Sequence, residues 1–224
     1  LKQTINLGAY GWRHKHWSNT FYPEDLPVED GEDWRLAYYS NEFNTVLVPA
    51  DYWQTEQIDD CEDWLDSVHP DFQFFVECHH SMFDTISLAE LTGALKKLTP
   101  QLSALVFLEE NQQVSDAIKK QFIELVDSLE VDVYGSVPGS GKPAIWRPDR
   151  PSVSPHEKLQ QSRFAFVEDE LSDLRSARDY VEQFAAQIND TVVNAAEATL
   201  IVNHPQLQAG NLSKFRSVLE IMGY

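Results

Sequence analysis

A chain of 224 residues, 42% hydrophobic and 12% aromatic, suits one soluble domain with a sizeable core. Its 36 acidic residues against 17 basic ones give a formal net charge of -19, a field that repels nucleic-acid phosphates and acidic membrane surfaces, so neither is an expected partner. No apolar run is long enough to span a membrane, no basic-then-apolar segment opens the chain, and two cysteines are too few for a disulfide framework; Cys61 and Cys78 are expected to be reduced in a cytoplasmic protein.

In chain order, Thr4–Leu7 reads as a short apolar strand. It runs into Gly8-Ala-Tyr-Gly-Trp-Arg-His-Lys-His-Trp17, a glycine-bounded turn crowded with aromatic and basic side chains, then the corner Phe21-Tyr22-Pro23. The acidic run Glu29–Asp33 looks like a helix start, where negative charge complements exposed N–H groups, ahead of helical spacing over Trp34–Phe43. Thr45–Val48 is the second strand. A second acidic run, Asp59–Asp63, lies within a predicted helix at Gln57–Val68, followed by a strand at Phe72–Cys78 and a helix at Leu88–Leu98. After the strand Ala104–Leu108, a helix spans Ala117–Leu129, with Ile118, Phe122, Leu125, Val126 and Leu129 on one face. Val131–Tyr134 is the fifth strand, and the Pro/Gly-rich stretch at about 135–155 reads as a long loop. Phe164–Val167 and Thr199–Val202 complete the strands, each followed by a helix, at Leu174–Ile188 and Leu212–Met222.

Strict strand–helix alternation with nearly continuous apolar strands predicts an α/β fold whose parallel sheet is covered on both faces. The count is about seven strands, one short of a complete (β/α)8 barrel. Residues 1–224 read as a single barrel-like domain.

The pattern Gly8, Gly11-Trp12, His16-Trp17 and Tyr22-Pro23 resembles the opening of the YecE-like family, also called domain of unknown function 72. Phe43-Asn-Thr-Val46 with Tyr52-Trp53, Trp64 followed by Phe72-Gln-Phe74, and the closing Asn203, Gly210 and Asn211 extend the resemblance. It implies a TIM-type parallel barrel. The strand–helix unit that the family usually carries after Phe107 is missing, so the chain reads as a shortened, divergent member with an incomplete barrel. The resemblance also implies that inward polar groups have changed. The family's acidic residue and Asn on the second strand fall at Leu47 and Pro49, its Gln on the fourth at Leu108, and its Lys on the third at Glu77. Family-type chemistry is expected to be lost or altered.

Ligands and catalytic groups collect at the C-terminal ends of barrel strands. That rule assembles a candidate ligand-binding set: Tyr10, Trp12, His14, His16 and Trp17 after the first strand, Asp51 after the second, Glu77 and His79 after the third, and Asn203 after the last. His80, Glu109, Glu110 and His204 fall at the same level. Histidine binds transition metals and moves protons near neutral pH, but His14-Lys-His16 and His79-His80 lack a diagnostic ligand spacing, so no metal or cofactor is expected. Gly139-Ser-Gly-Lys142 fails as a phosphate loop because Pro143 replaces the hydroxyl residue that would hold magnesium. Cys78, ending an apolar strand, reads as core.

Three functions remain open. The favoured one is a small-molecule-binding or regulatory protein with a degenerate family site at the barrel mouth. The second is a hydrolase or isomerase using His/Glu acid–base groups or a metal drawn from His14, His16, Glu77, His79, Glu109 and His204. The third is a protein-interaction module at the gap left by the missing strand.

Overall fold

The computed structural model describes residues 3–28, 34–53, 61–79, 81–108, 115–135, 145–148, 162–189 and 197–224. Successive strand side chains point to opposite faces, and here both faces are apolar. On β1 (Thr4–Tyr10), Ile5, Leu7 and Ala9 pack outward, while Tyr10 joins the interior. On β2 (Thr45–Val48), Val46 and Val48 go outward and Leu47 inward. The same alternation runs through β3 (Gln73–Glu77), β4 (Leu102–Phe107), β5 (Asp132–Gly135), β6 (Phe164–Val167) and β7 (Glu197–Val202). Strands buried on both faces need a layer on each side.

The outer layer is helical: α1 (Arg35–Ser40), α2 (Ala50–Trp53), α3 (Cys61–Asp66), α4 (Met82–Thr85), α5 (Leu88–Leu98), α6 (Asp116–Leu129), α7 (Leu174–Asn189) and α8 (Ala209–Met222). Serine caps start two of them: Ser87 and Glu90 form a reciprocal capping box on α5, and Ser115 caps α6. Among the described residues, no helix is long and apolar enough to cross a membrane.

The seven strands form one parallel sheet in the order β5-β4-β3-β2-β1-β7-β6. The sheet curls into a nearly closed barrel. Phe75 of β3 meets Phe164 of β6 at 5.1 Å between ring centroids, and Tyr134 of β5 stacks on the same ring at 5.3 Å. Such contacts between strands distant in the order require closure. Leu47, Phe75, Val106, Phe164, Phe166 and Ile201 fill the interior, which is as dry as Leu47 and its neighbours imply.

The position between β5 and β6 is not empty. Trp146 makes a parallel bridge to Ala165, donating its N–H to Phe164 O (3.0 Å) and accepting from Phe166 N (2.9 Å). Ile145 packs in the interior, Trp146 lies against Phe184 of α7 at 5.3 Å, and the Arg147 guanidinium returns to the interior ring of Phe166. Three residues thus alternate as a strand would, within the stretch read from sequence as loop. Among the described residues, they hold the eighth position by a single bridge.

β1 runs three residues past its expected end because Gly8 lets it approach β2. A Cβ on Gly8 would overlap the Thr45 carbonyl oxygen. The acidic run Glu29–Asp33 and the start of the helix predicted at Gln57 lie outside the described residues. Gly8→Ala should therefore cost about 3 kcal/mol in urea unfolding. A variant within about 0.5 kcal/mol of wild type would contradict the close approach.

Candidate functional site

At the C-terminal end of β3 stands Glu77, only 9% exposed. Burying a carboxylate is costly unless donors reach it. Two do: the Tyr10 hydroxyl at 2.6 Å, from two strands away, and the Ala50 backbone N–H at 2.9 Å, from the start of α2. Both bond to Oε2. Among the described residues Oε1 takes no hydrogen bond and is left to the mouth of the barrel. The Glu77 backbone carbonyl accepts from Trp53 Nε1 at 2.9 Å. Burial first, then the hydrogen bond to Glu77, raises the Tyr10 phenol well above its ordinary value, so Tyr10 remains a donor.

The loop after β1 is set by Gly11, whose φ of 75° belongs to the left-handed region and whose N–H continues the ladder to Leu47 O at 2.8 Å. Trp12 and Trp17, expected at the ligand surface, are instead enclosed, at 1% and 0% exposure. Trp12 packs edge-on to Tyr52 and Trp64, and Trp17 lies 4.2 Å from the His14 ring. Both rings are part of the core in this structure. Large aromatic rings gain most from burial, which outweighs their loop position in the sequence.

His16 Nε2 and Trp17 Nε1 both donate to the Leu207 carbonyl, each at 2.6 Å, tying the first loop to the turn before α8. His14 lies 5.5 Å from His16 between ring centroids, and its Nε2 is buried without a hydrogen bond. Burial, with a contribution from His16, pushes the His14 imidazole down to about 4, so it is neutral at physiological pH. No third metal-ligating side chain joins this pair among the described residues.

His79 sits in the β3–α4 turn, where its Nδ1 accepts from the Ser81 hydroxyl (2.6 Å) and the Ser81 N–H (3.3 Å). Asp51, on the exposed side of α2, is close enough to contribute to the raised Tyr10 value. Asn203 follows β7 with its side chain half-buried and its N–H on Val167 O. Burial pushes the Cys78 thiol up, with Glu77 adding to it, so Cys78 stays protonated core and does not pair with His79 as a nucleophile. The structure therefore unites Tyr10, Glu77 and Asp51, and keeps the His14–His16 pair as a separate cluster anchored to Leu207. His80, Glu109 and Glu110 lie outside the described residues.

Sequence reasoning missed Arg147. Its side chain is 11% exposed, its guanidinium lies 4.8 Å from the Phe166 ring centroid, and its Nη1 donates to Glu168 at 2.9 Å. The only signal was the Ile-Trp-Arg alternation between Pro143 and Pro148, too short to stand out as a strand. A cavity of about 330 Å³ opens at the other end of the barrel, lined by Asn6, Asn44, His69, Arg216 and Glu220 among others. Residues at the N-terminal strand ends of such barrels serve stability, so it is not the candidate site.

A parallel barrel with a buried carboxylate and a half-buried guanidinium at its C-terminal mouth defines the class. The chain belongs to the DUF72 family: the profile described as "Protein of unknown function DUF72" matches residues 6–134. It is similar to a DUF72 family protein from Thermotoga maritima, with a TM-score of 0.63 at 16% identity, covering 97% of this chain and 100% of that one. A DUF72 family protein from Enterococcus faecalis V583 gives 0.60 at 12%, covering 97% and 96%. SacUVDE gives 0.56 at 8%, covering 99% and 100%. At these identities the structural likeness shows the fold alone. No curated protein matches the chain.

The unfolded chain protonates His14 near pH 6.5, the folded one near 4. Stability from neutral His14 is thus complete above about pH 6.5 and lost as pH falls toward 4. Between pH 7 and 4.5, the wild type should lose about 2.5 kcal/mol more than His14→Gln in urea unfolding. Equal losses would contradict a buried neutral imidazole.

Proposed function

We propose that this protein binds a small polar molecule at the C-terminal mouth of its barrel, with Glu77 as the anchoring acceptor. The observation that carries the reading is the second oxygen of Glu77. The fold buries a carboxylate at considerable desolvation cost and uses only Oε2 for its own hydrogen bonds. A ligand donor reaching Oε1 recovers part of that cost. The apolar interior of Leu47, Phe75 and Val106 seals the floor beneath.

Binding is favoured over hydrolysis or isomerisation by what surrounds Glu77. Proton transfer in both directions needs an acid and a base tuned to nearby values. Among the described residues, the one titratable side chain hydrogen-bonded to Glu77 is Tyr10, and its phenol is shifted away from neutrality.

Thermal denaturation against a panel of sugars, polyols, amino acids and small acids tests this reading. A ligand at a hundred times its Kd adds about 2.7 kcal/mol and raises Tm by roughly 5–10 °C in a protein of this size. In Glu77→Gln, which keeps the shape and the acceptor for Tyr10, the shift should fall below about 2 °C. Hits that survive this substitution unchanged would place binding elsewhere.

A further inference from the structure

The cavity of about 330 Å³ at the N-terminal end of the barrel lies where β1 and β2 part. Pairing of the two strands is confined to Ala9–Val46 and Tyr10–Leu47. Ile5–Leu7, paired to β7 on one side, therefore border the cavity on the other. The turn from Ser40 to Asn44 and the last part of α8 complete its wall.

A relay of carboxamides fixes what this wall presents. Gln73 Nε2 donates to Glu197 (3.3 Å), Asn6 Nδ2 to Gln73 Oε1 (3.1 Å), and Asn44 Nδ2 to Asn6 Oδ1 (3.2 Å). A carboxylate only accepts, so Glu197 at the far end sets the direction of every amide in the chain. Asn44, which lines the cavity, is left with a free Oδ1 among the described residues, and donating to Asn6 makes that oxygen a better acceptor. A backbone carbonyl does the same for two neighbours. Ala37 O takes the Ser40 hydroxyl at 2.9 Å and Asn41 Nδ2 at 3.1 Å, leaving Ser40 Oγ and Asn41 Oδ1 as acceptors.

Glu42 and Glu220 add carboxylates to the same lining, and Arg216 offsets one of them. Its Nη1 and Nη2 go to the Glu42 carbonyl and Glu42 Oε2, while Glu220 stands 3.9 Å from its Nε. The lining keeps a formal excess of negative charge, within a chain whose net charge of -19 concentrates cations.

The free groups are mostly oxygen acceptors, which calls for a ligand made of donors. An ammonium group brings three N–H donors and no lone pair, whereas a hydroxyl brings acceptors of its own. A bare metal ion satisfies oxygens at about 2.3–2.6 Å and has no use for the apolar side chains of Leu7, Phe43 and Leu219 that share the wall. Methylene groups gain from covering them.

We infer that this cavity is a second binding site, separate from the barrel mouth, for a small aliphatic amine in its protonated form. The ammonium group lies among the oxygens of the Ser40–Asn44 turn and Glu220, and the methylenes lie on Phe43 and Leu219. Chemistry in such barrels belongs to the opposite end, so the site binds and does not catalyse.

Titration calorimetry of the full chain with butylamine and diaminobutane, against butanol, butyrate, tetramethylammonium and calcium chloride, tests the assignment. At least one amine should bind about tenfold more tightly than any of the other probes. Asn44→Ala, at an exposed position, and Glu220→Gln should each weaken it about tenfold. Equal affinity for butanol or tetramethylammonium, a preference for calcium, or no heat from either amine overturns the assignment. So does amine binding that both cavity variants leave unchanged. Amine binding lost in Glu77→Gln but kept in Asn44→Ala belongs to the mouth and overturns the second site alone.

Discussion

The buried carboxylate of Glu77 is the constraint around which the mouth of this barrel is arranged. It draws the Tyr10 hydroxyl from β1 and the Ala50 N–H from α2, while its own backbone carbonyl receives the Trp53 indole. Three hydrogen bonds from two elements, β1 and α2, therefore converge at the end of β3. The same demand explains why Tyr10 turns inward: a phenol is long enough to cross the β2 position and supply the donor that a buried anion requires. A lysine at this position, as the family resemblance implies for relatives, would repel the donors that Glu77 attracts.

Beneath this polar rim the barrel is closed economically. Seven strands leave one position to fill, and Ile145-Trp146-Arg147 fills it with one side chain inward, one outward and one inward again. The backbone pairs with β6 at a single bridge, yet the Ile145 side chain reaches β5, since a Cβ on Gly135 would lie 3.2 Å from Ile145 Cδ1. Among the described residues, one bridge and side-chain packing around Phe75, Tyr134 and Phe164 at the centre close the barrel. The same segment delivers Arg147 to the mouth, so structural closure and a charged side chain at the rim come from one short run.

Much of this was legible in the sequence, and the exceptions have physical causes. Thr45–Val48, Phe164–Val167 and Leu88–Leu98 lie where apolar runs and helical spacing place them, because continuous burial leaves a plain pattern. The parallel α/β sheet followed from alternation, and its closure into a barrel from the family resemblance. The short helices α2 and α4 did not, since four residues are too few to show a period. The β1 extension depends on a missing Cβ at Gly8 and its distance to Thr45, a tertiary fact. At the site, Tyr10 and Glu77 were found by the strand-end rule alone. Trp12 and Trp17 lie in the core, and a loop position in the sequence says nothing of whether a ring folds back; Arg147 was hidden among prolines that mask a three-residue alternation.

The most direct test of the account is a double-mutant cycle on Tyr10→Phe and Glu77→Leu, read by urea unfolding. If Glu77 is a buried acceptor held by Tyr10, Tyr10→Phe should cost about 1.5–3 kcal/mol in the wild type and less than about 0.5 kcal/mol in the Glu77→Leu background. Additive costs in the two backgrounds would contradict the arrangement on which the mouth and its proposed ligand depend.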